Sequence, residues 1–183
     1  PAVTTLTGLG AVDTTDELAM HMLGMHGTAY ANYAVDDCDF LICVGARFDD
    51  RVAGLPHRFA EHAAIAQIDI DAAEIGKVRR IDWSHVADAG SALRDLMEYG
   101  HDVNTDHPKW LKHLAEMKKT HHQDFNRASD IIQPQAAIEM LNELTRGEAI
   151  ITSGVGQHQM FCAQYLDFKE PRTWITSGSM GTM

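Results

Sequence analysis

The sequence predicts an α/β protein built on a doubly wound parallel sheet, followed by the beginning of a second α/β domain. Three observations carry this expectation. Short continuous apolar runs, such as Phe40-Leu41-Ile42-Cys43-Val44, have the composition of parallel strands covered on both faces. They alternate with segments of helical spacing, the pattern of repeated βαβ units. Several strands then stop in turns rich in Gly, Asp or Arg, at the edge where open α/β sheets hold ligands.

Taken in order, residues 2–6 read as a short strand with Thr4, Thr5 and Leu6 at its exit, and Gly8 and Gly10 permit close backbone approach. Residues 13–16 offer caps for a helix beginning at Glu17, Leu18, Ala19 and Met20. The next stretch, MLGMHG, breaks at glycines on either side of Met25 and His26, a pair that reads first as packing and second as ligand contact. Residues 28–35 form a helix of small residues, and Asp36, Asp37 and Asp39 lead into the central strand at 40–44. Gly45 ends that strand, so Gly45, Ala46, Arg47, Asp49 and Arg51 fall where a ligand lies. Two arginines there can hold phosphate bidentately; a solvated turn of self-compensating charges is an equal alternative.

Residues 56–64 have helical spacing, with Phe59 and Ala63 on one side, and 65–70 form the next strand. Asp69 and Asp71 at its exit suit a ribose hydroxyl, or a cap for a helix over 72–78. A strand within 81–89 ends at Asp88, ahead of a helix over 91–99 that carries Leu93, Leu96 and Met97. From 100 to 130 the chain is polar and His-rich, with one amphipathic helix at 108–120 whose stripe is Trp110, Leu111, Leu114 and Met117. Adjacent His121 and His122 lack metal-ligand spacing. A second unit opens at Ile132: Gln133-Pro134-Gln135 starts a helix whose stripe is Ala137, Ile138, Leu141 and Leu144. The strand at 149–152 then exits into SGVGQHQM. There Gly154 and Gly156 can turn backbone N–H groups to an anion beside Gln157, His158 and Gln159. Residues 174–177 repeat the plan with TSGSMGTM.

Composition narrows the function. Of 183 residues, 45% are hydrophobic and 22% charged, ordinary for a globular chain with a sizeable core. A net charge of -11 argues against gripping nucleic acid or an anionic membrane. Cys38, Cys43 and Cys162 lack metal spacing, so a reducing compartment and no disulfide are expected. There is neither a signal-like segment nor an apolar run long enough for a membrane span. Both ends read as cut, and a fragment is expected.

The strings TTLTGLG, MLGMHGT, GARFDDRV, IDIDAAEIGK, GVGQHQM and TSGSMGTM, in this order, closely resemble the large catalytic subunits of acetohydroxyacid (acetolactate) synthases over essentially the whole chain. The resemblance implies a three-domain thiamine-diphosphate enzyme. It assigns 1–100 to part of a Rossmann-like, FAD-binding middle domain, 101–130 to a linker with its connecting helix, and 131–183 to the start of the C-terminal, thiamine-diphosphate-binding domain. Flavin contacts carried over by motif are Thr5, Leu6, Leu23, Gly24, Met25, His26, Gly45, Ala46, Arg47, Asp49, Arg51 and Val52. Asp69 and Ile70 meet the adenosine end, and Glu74, Asp88, Ala89, Gln159 and Met160 complete the pocket. Val155, Gly156, Gln157, His158, Gly178 and Met180 face thiamine diphosphate, while Met25, Asp50 and Arg51 line the substrate approach.

The implied reaction joins pyruvate to a second pyruvate or to 2-oxobutyrate with release of CO2, in branched-chain amino-acid biosynthesis. Thiamine diphosphate supplies the electron sink and FAD has no net redox role. The activating glutamate and the Mg2+ motif are expected outside this chain, so no catalytic residue or metal ligand is assigned and the fragment alone is expected to be inactive. The resemblance further implies a homo-oligomeric parent, at least a dimer, with a possible small regulatory subunit. Its setting is cytoplasmic, or plastidic if the source is a plant or alga. Ala87, Phe161 and Ser179 depart from the usual glycine, tryptophan and glycine of the motifs. A related thiamine-diphosphate carboligase or decarboxylase, and a non-catalytic nucleotide-binding module, remain as alternatives.

Overall fold

The computed structural model describes residues 1–178, which fall into two compact units: residues 1–32 with the segment from Ala115 onward, and Tyr33–Leu114. The chain passes between them within helix α1 (Ala29–Asp37) and again within α4 (Pro108–Thr120).

The Tyr33–Leu114 unit holds strands β3 (Phe40–Val44), β4 (Ala64–Asp69) and β5 (Trp83–Val86), all parallel in the order β3-β4-β5. Register is regular: Phe40 opposes Ala64, Val44 opposes Ile68, and Ala66 opposes Trp83. Five apolar residues in succession predict two-sided burial for 40–44, yet that strand is an edge, with Phe40 56% and Ile42 48% exposed. The central, covered strand is β4, buried at every residue after Ala64. Two of the expected helices are turns instead. Residues 56–63 follow Gly54 at φ +56°, and Ala60 at φ +45° would interrupt any helix there. Between Asp71 and Gly76 (φ +67°) too few residues remain to repay helix nucleation. A short helix α2 (Asp50–Ala53) and α3 (Ala89–Tyr99) complete the unit. Of α3's predicted apolar residues, Leu93, Leu96 and Met97 are exposed, and Ala92 is the residue buried. His113 on α4 bonds Asp37 at the end of α1 (2.8 Å).

The other unit contains two parallel pairs, β1 (Ala2–Thr4) with β2 (Ala19–Met22) and β6 (Ile151–Ser153) with β7 (Trp174–Thr176). Its core joins Leu9 and Met22 from the N-terminal segment to Cys162, Ala163, Leu166 and Phe168 from the C-terminal one, with Leu6, Ile138, Ile151 and Trp174 packed against it. The helix expected to begin at residues 17–20 is strand β2. The acidic residues ahead of it fold tight turns instead of capping: Asp13 accepts from Thr15 N (2.8 Å) and Asp16 from Leu18 N (2.7 Å). On α5 (Pro134–Thr145) the inward side runs through Ile138 and Asn142, whereas Ala137, Leu141 and Leu144 of the predicted stripe are exposed. On α4, Leu114 and Met117 are buried but Leu111 is not. The three cysteines are free thiols.

The segment after α4 is fastened within this unit. Arg127 forks onto Glu139 of α5 (2.6 and 2.9 Å) and stacks over Phe125, which meets Tyr165 of α6 (Gln157–Tyr165) edge-on. Helix α6 itself was not anticipated, because its start is hidden in the glycine-rich turn. No helix of the described residues is long and apolar enough to cross a membrane.

Candidate functional site

In the Tyr33–Leu114 unit, three strand exits lie side by side at one edge of the parallel sheet. They contain Gly45, Ala46, Arg47, Asp49, Asp50, Arg51 and Val52 after β3, Asp69, Ile70 and Glu74 after β4, and Asp88 and Ala89 after β5. Thus every residue predicted here from Gly45 to Ala89 is gathered on one sheet edge.

The first turn is tightly determined. Gly45 adopts φ +66°, donates its N–H to Ile68 O (2.8 Å), and a Cβ added there would meet no atom within 4 Å. Its backbone therefore faces open space, as a close-approaching ligand requires. Phe48, also left-handed at φ +55°, is buried against Phe59 and anchors the turn from below. Asp49 caps α2 by accepting from Arg51 N (3.1 Å) and Val52 N (3.2 Å). Its other oxygen meets Arg47 at 3.3 Å in a solvent-exposed pair. Such a pair is worth about 0–1 kcal/mol, so an incoming phosphate can recruit the Arg47 guanidinium at little cost.

At the second exit Asp69 is buried and accepts from Asp71 N (2.9 Å), and Asp71 accepts from Ala73 N (2.9 Å). Both aspartates shape successive turns, with no helix to cap. Ile70 is 74% exposed beside them, and Glu74 pairs with Lys77 (2.7 Å). At the third exit Asp88 caps α3 through Ser91 N (3.0 Å). The Cys43 thiol donates to Ala46 O (3.1 Å), and burial pushes its pKa up to about 11, so it serves as packing and as a donor and not as a nucleophile.

In the other unit Thr5 and Leu6 leave β1. Thr5 Oγ1 accepts from Gly8 N (3.2 Å), and Leu6 packs on the core. Leu23, Gly24, Met25 and His26 leave β2 in a turn held by two amides. Asn32 accepts from Gly24 N (3.1 Å) and donates to Gly24 O (3.1 Å) and Thr28 O (2.9 Å), while Gln164 donates to His26 O (2.8 Å). Met25 is left 61% exposed. Gly27 has no room for a side chain, since a Cβ would lie 2.2 Å from Met22 O.

Beyond β6, Val155 is exposed and Gly156, at φ +147°, precedes α6, on which Gln157, His158, Gln159 and Met160 form the first turn. Gln159 is buried and donates to Thr176 Oγ1 and Ser177 O (both 2.8 Å), so its amide braces α6 against the exit of β7. Gly178 follows that exit, and Ser179 and Met180 lie outside the described residues.

Sequence reasoning missed Gln67, Asn32 and Gln164, the side chains that set these turns. Only Gln67 gave a signal, as a lone amide inside an apolar strand. A separate cavity of about 190 Å³ lies beneath α3, lined by Ile68, Trp83, His85, Ala92, Leu96 and Tyr99 among others, and contains none of the predicted site residues.

Comparison with known proteins fits this arrangement. The family model described as "Thiamine pyrophosphate enzyme, central domain" matches residues 1–96, and "Thiamine pyrophosphate enzyme, C-terminal TPP binding domain" matches 154–183. Acetolactate synthase 1, chloroplastic, of Nicotiana tabacum is 50% identical over 187 residues, covering 100% of this chain and 28% of its own length. Acetolactate synthase, chloroplastic, of Arabidopsis thaliana is 46% identical, covering 100% of this chain and 28% of its own. The acetolactate synthase large subunit of Lactococcus lactis subsp. lactis is 43% identical over 183 residues, 100% of this chain and 32% of its own. The chain therefore spans roughly three tenths of the length of these relatives.

Proposed function

The chain belongs to the thiamine pyrophosphate enzyme family, and on that premise we propose that it is part of an acetolactate synthase. The parent joins pyruvate to pyruvate or 2-oxobutyrate with loss of CO2, in branched-chain amino-acid biosynthesis. The observation that carries this reading is the gathering of Gly45, Arg47, Asp69 and Asp88 at the exits of three parallel strands in a chain 50% identical to a named acetolactate synthase.

These exits suit FAD. Open space above Gly45 admits the ligand's backbone approach, Arg47 and Arg51 supply charge-assisted bonds to its phosphates, and Asp69 offers a carboxylate to the ribose. Thiamine diphosphate, with Mg2+, supplies the electron sink when bound. Val155, Gly156, Gln157 and His158 would hold it at the exit of β6, where Gly156 takes a backbone conformation (φ +147°) that a side chain would strain and has the His158 ring packed beside it. Asp50 and Arg51 line the substrate's approach, Arg51 orienting the carboxylate of the acceptor 2-oxo acid.

Residues 1–100 are part of the flavin domain, 101–130 the connection and 131–183 the start of the thiamine domain. The parent works as a homo-oligomer, at least a dimer, with a small regulatory subunit, in the cytoplasm or, in a plant or alga, the plastid.

The test uses the purified full-length parent. We expect bound flavin, acetolactate formation from pyruvate, and a flavin affinity lowered roughly tenfold or more by Arg47→Ala, the loss expected of one charge-assisted bond. A parent that retains no flavin and forms no acetolactate overturns the proposal.

A further inference from the structure

We infer that Gln67 is a positioning residue for the flavin site, fixing from within the sheet the two turns that receive the ligand's anionic part. The inference rests on the flavin reading of those turns. Gln67 lies on β4, opposite Cys43 of β3, and is completely buried. A buried amide in an apolar strand is tolerated when its donors and acceptor are matched. Here Nε2 donates to Ala46 O (3.4 Å) in the turn after β3 and to Glu74 O (3.3 Å) in the turn after β4, and Oε1 accepts from Gly76 N (3.0 Å). One side chain thereby ties together the turn after β3 and the turn after β4.

The consequence for a ligand follows from peptide geometry. The Ala46 carbonyl is drawn toward the sheet by Gln67 and by the Cys43 thiol. In a trans peptide the C=O and the following N–H point in opposite directions, so the N–H of Arg47 is turned away from the sheet. In the same turn, Gly45 has no atom within 4 Å of where a side chain would stand. Gln67 thus aims a backbone donor away from the sheet, toward the place the flavin reading gives a phosphate.

Gln67→Glu keeps the size of the side chain and removes the donors, because a carboxylate can only accept; when protonated it regains one donor. Gln67→Met keeps similar bulk and removes all three bonds. In the full-length flavin-stripped protein, FAD and thiamine diphosphate titrations are compared for wild type, both variants and Arg47→Ala. We expect Gln67→Glu to weaken FAD about tenfold or more near about pH 8 and to recover toward wild type near about pH 5.5 as its carboxyl protonates. Neither wild type nor Arg47→Ala should show that recovery relative to the other, Gln67→Met should bind weakly at both pH values, and thiamine diphosphate affinity should move less than about twofold.

Unchanged FAD affinity in a folded Gln67→Met overturns the inference. So does a pH-independent loss in Gln67→Glu, an equal loss for thiamine diphosphate, or failure of both variants to fold, each of which reduces Gln67 to a structural amide. A wild-type protein that binds no FAD refutes the flavin reading itself, and is recognised before any variant is made.

Discussion

His21 occupies an awkward place for a titratable group. It sits in β2 at φ +60°, its Nδ1 is buried without a hydrogen-bond partner, and its ring meets Tyr30 edge-on at 6.4 Å. Burial lowers its pKa below the ordinary 6.5 and the nearby Lys118 ammonium lowers it further, while the Asp167 carboxylate and a hydrogen bond of the imidazole itself with the Thr14 backbone oppose them. The folded state therefore prefers neutral imidazole. As pH falls through 6.5 the unfolded chain gains a proton that the folded chain does not, and stability declines until the lower folded value is reached. Urea unfolding between about pH 8 and about pH 5 should show a shallower acid-side loss for His21→Gln than for wild type. Parallel profiles for the two proteins would remove His21 from the acid response.

At the scale of elements, the residues with a second duty are the caps. Asp88 is a proposed flavin contact, yet its carboxylate already accepts from Ser91 N at the start of α3. Asp88→Ala should cost about 1 kcal/mol, seen as faster amide exchange in the first turns of α3, whereas Asp88→Ser retains the cap and most of that stability. If Asp88→Ser lost as much protection as Asp88→Ala, the carboxylate would be stabilising α3 by charge and not by its hydrogen bond. Elements that carry their own signal were legible in sequence: the runs at β3 and β4 and the amphipathic period of α4 matched their observed positions to within a residue. Burial was less legible, because which strand becomes central depends on pairing; β3 has the more apolar run, but β4 has neighbours on both sides. Ala-Met-His-Met lacks β-branched residues and so reads as helix; what makes β2 a strand is its pairing with β1. The turns of the candidate site were legible from Gly45, Arg47 and Asp69, while their supports Asn32 and Gln164 were not. A surface amide reveals nothing until folding brings a distant carbonyl to it.

At the scale of the whole molecule, the chain leaves one unit, builds a second, and returns. The first unit is therefore closed by residues far apart in sequence, and much of its closure is polar. Thr14 Oγ1 accepts from Phe168 N (2.8 Å), Thr14 N donates to Phe168 O (3.0 Å), Lys118 donates to Glu17 O (2.6 Å), and Gly10 leaves room for Glu170 O where a Cβ would stand 2.3 Å away. Closing so long a loop is entropically unfavourable, and the buried apolar cluster of Leu9, Met22, Leu166 and Phe168 offsets it only if these bonds hold the segments in register. Thr14→Val conserves bulk but leaves the buried Phe168 amide without its acceptor, a loss of about 1–3 kcal/mol. Because the other unit has its own sheet and its own buried strand, that loss should be local. Hydrogen exchange should accelerate around β1, β2 and α6 while the amides of β4, paired on both sides, keep their protection. An equal drop in protection across β4 would mean that the units unfold as a single cooperative block, and that the return of the chain stabilises both.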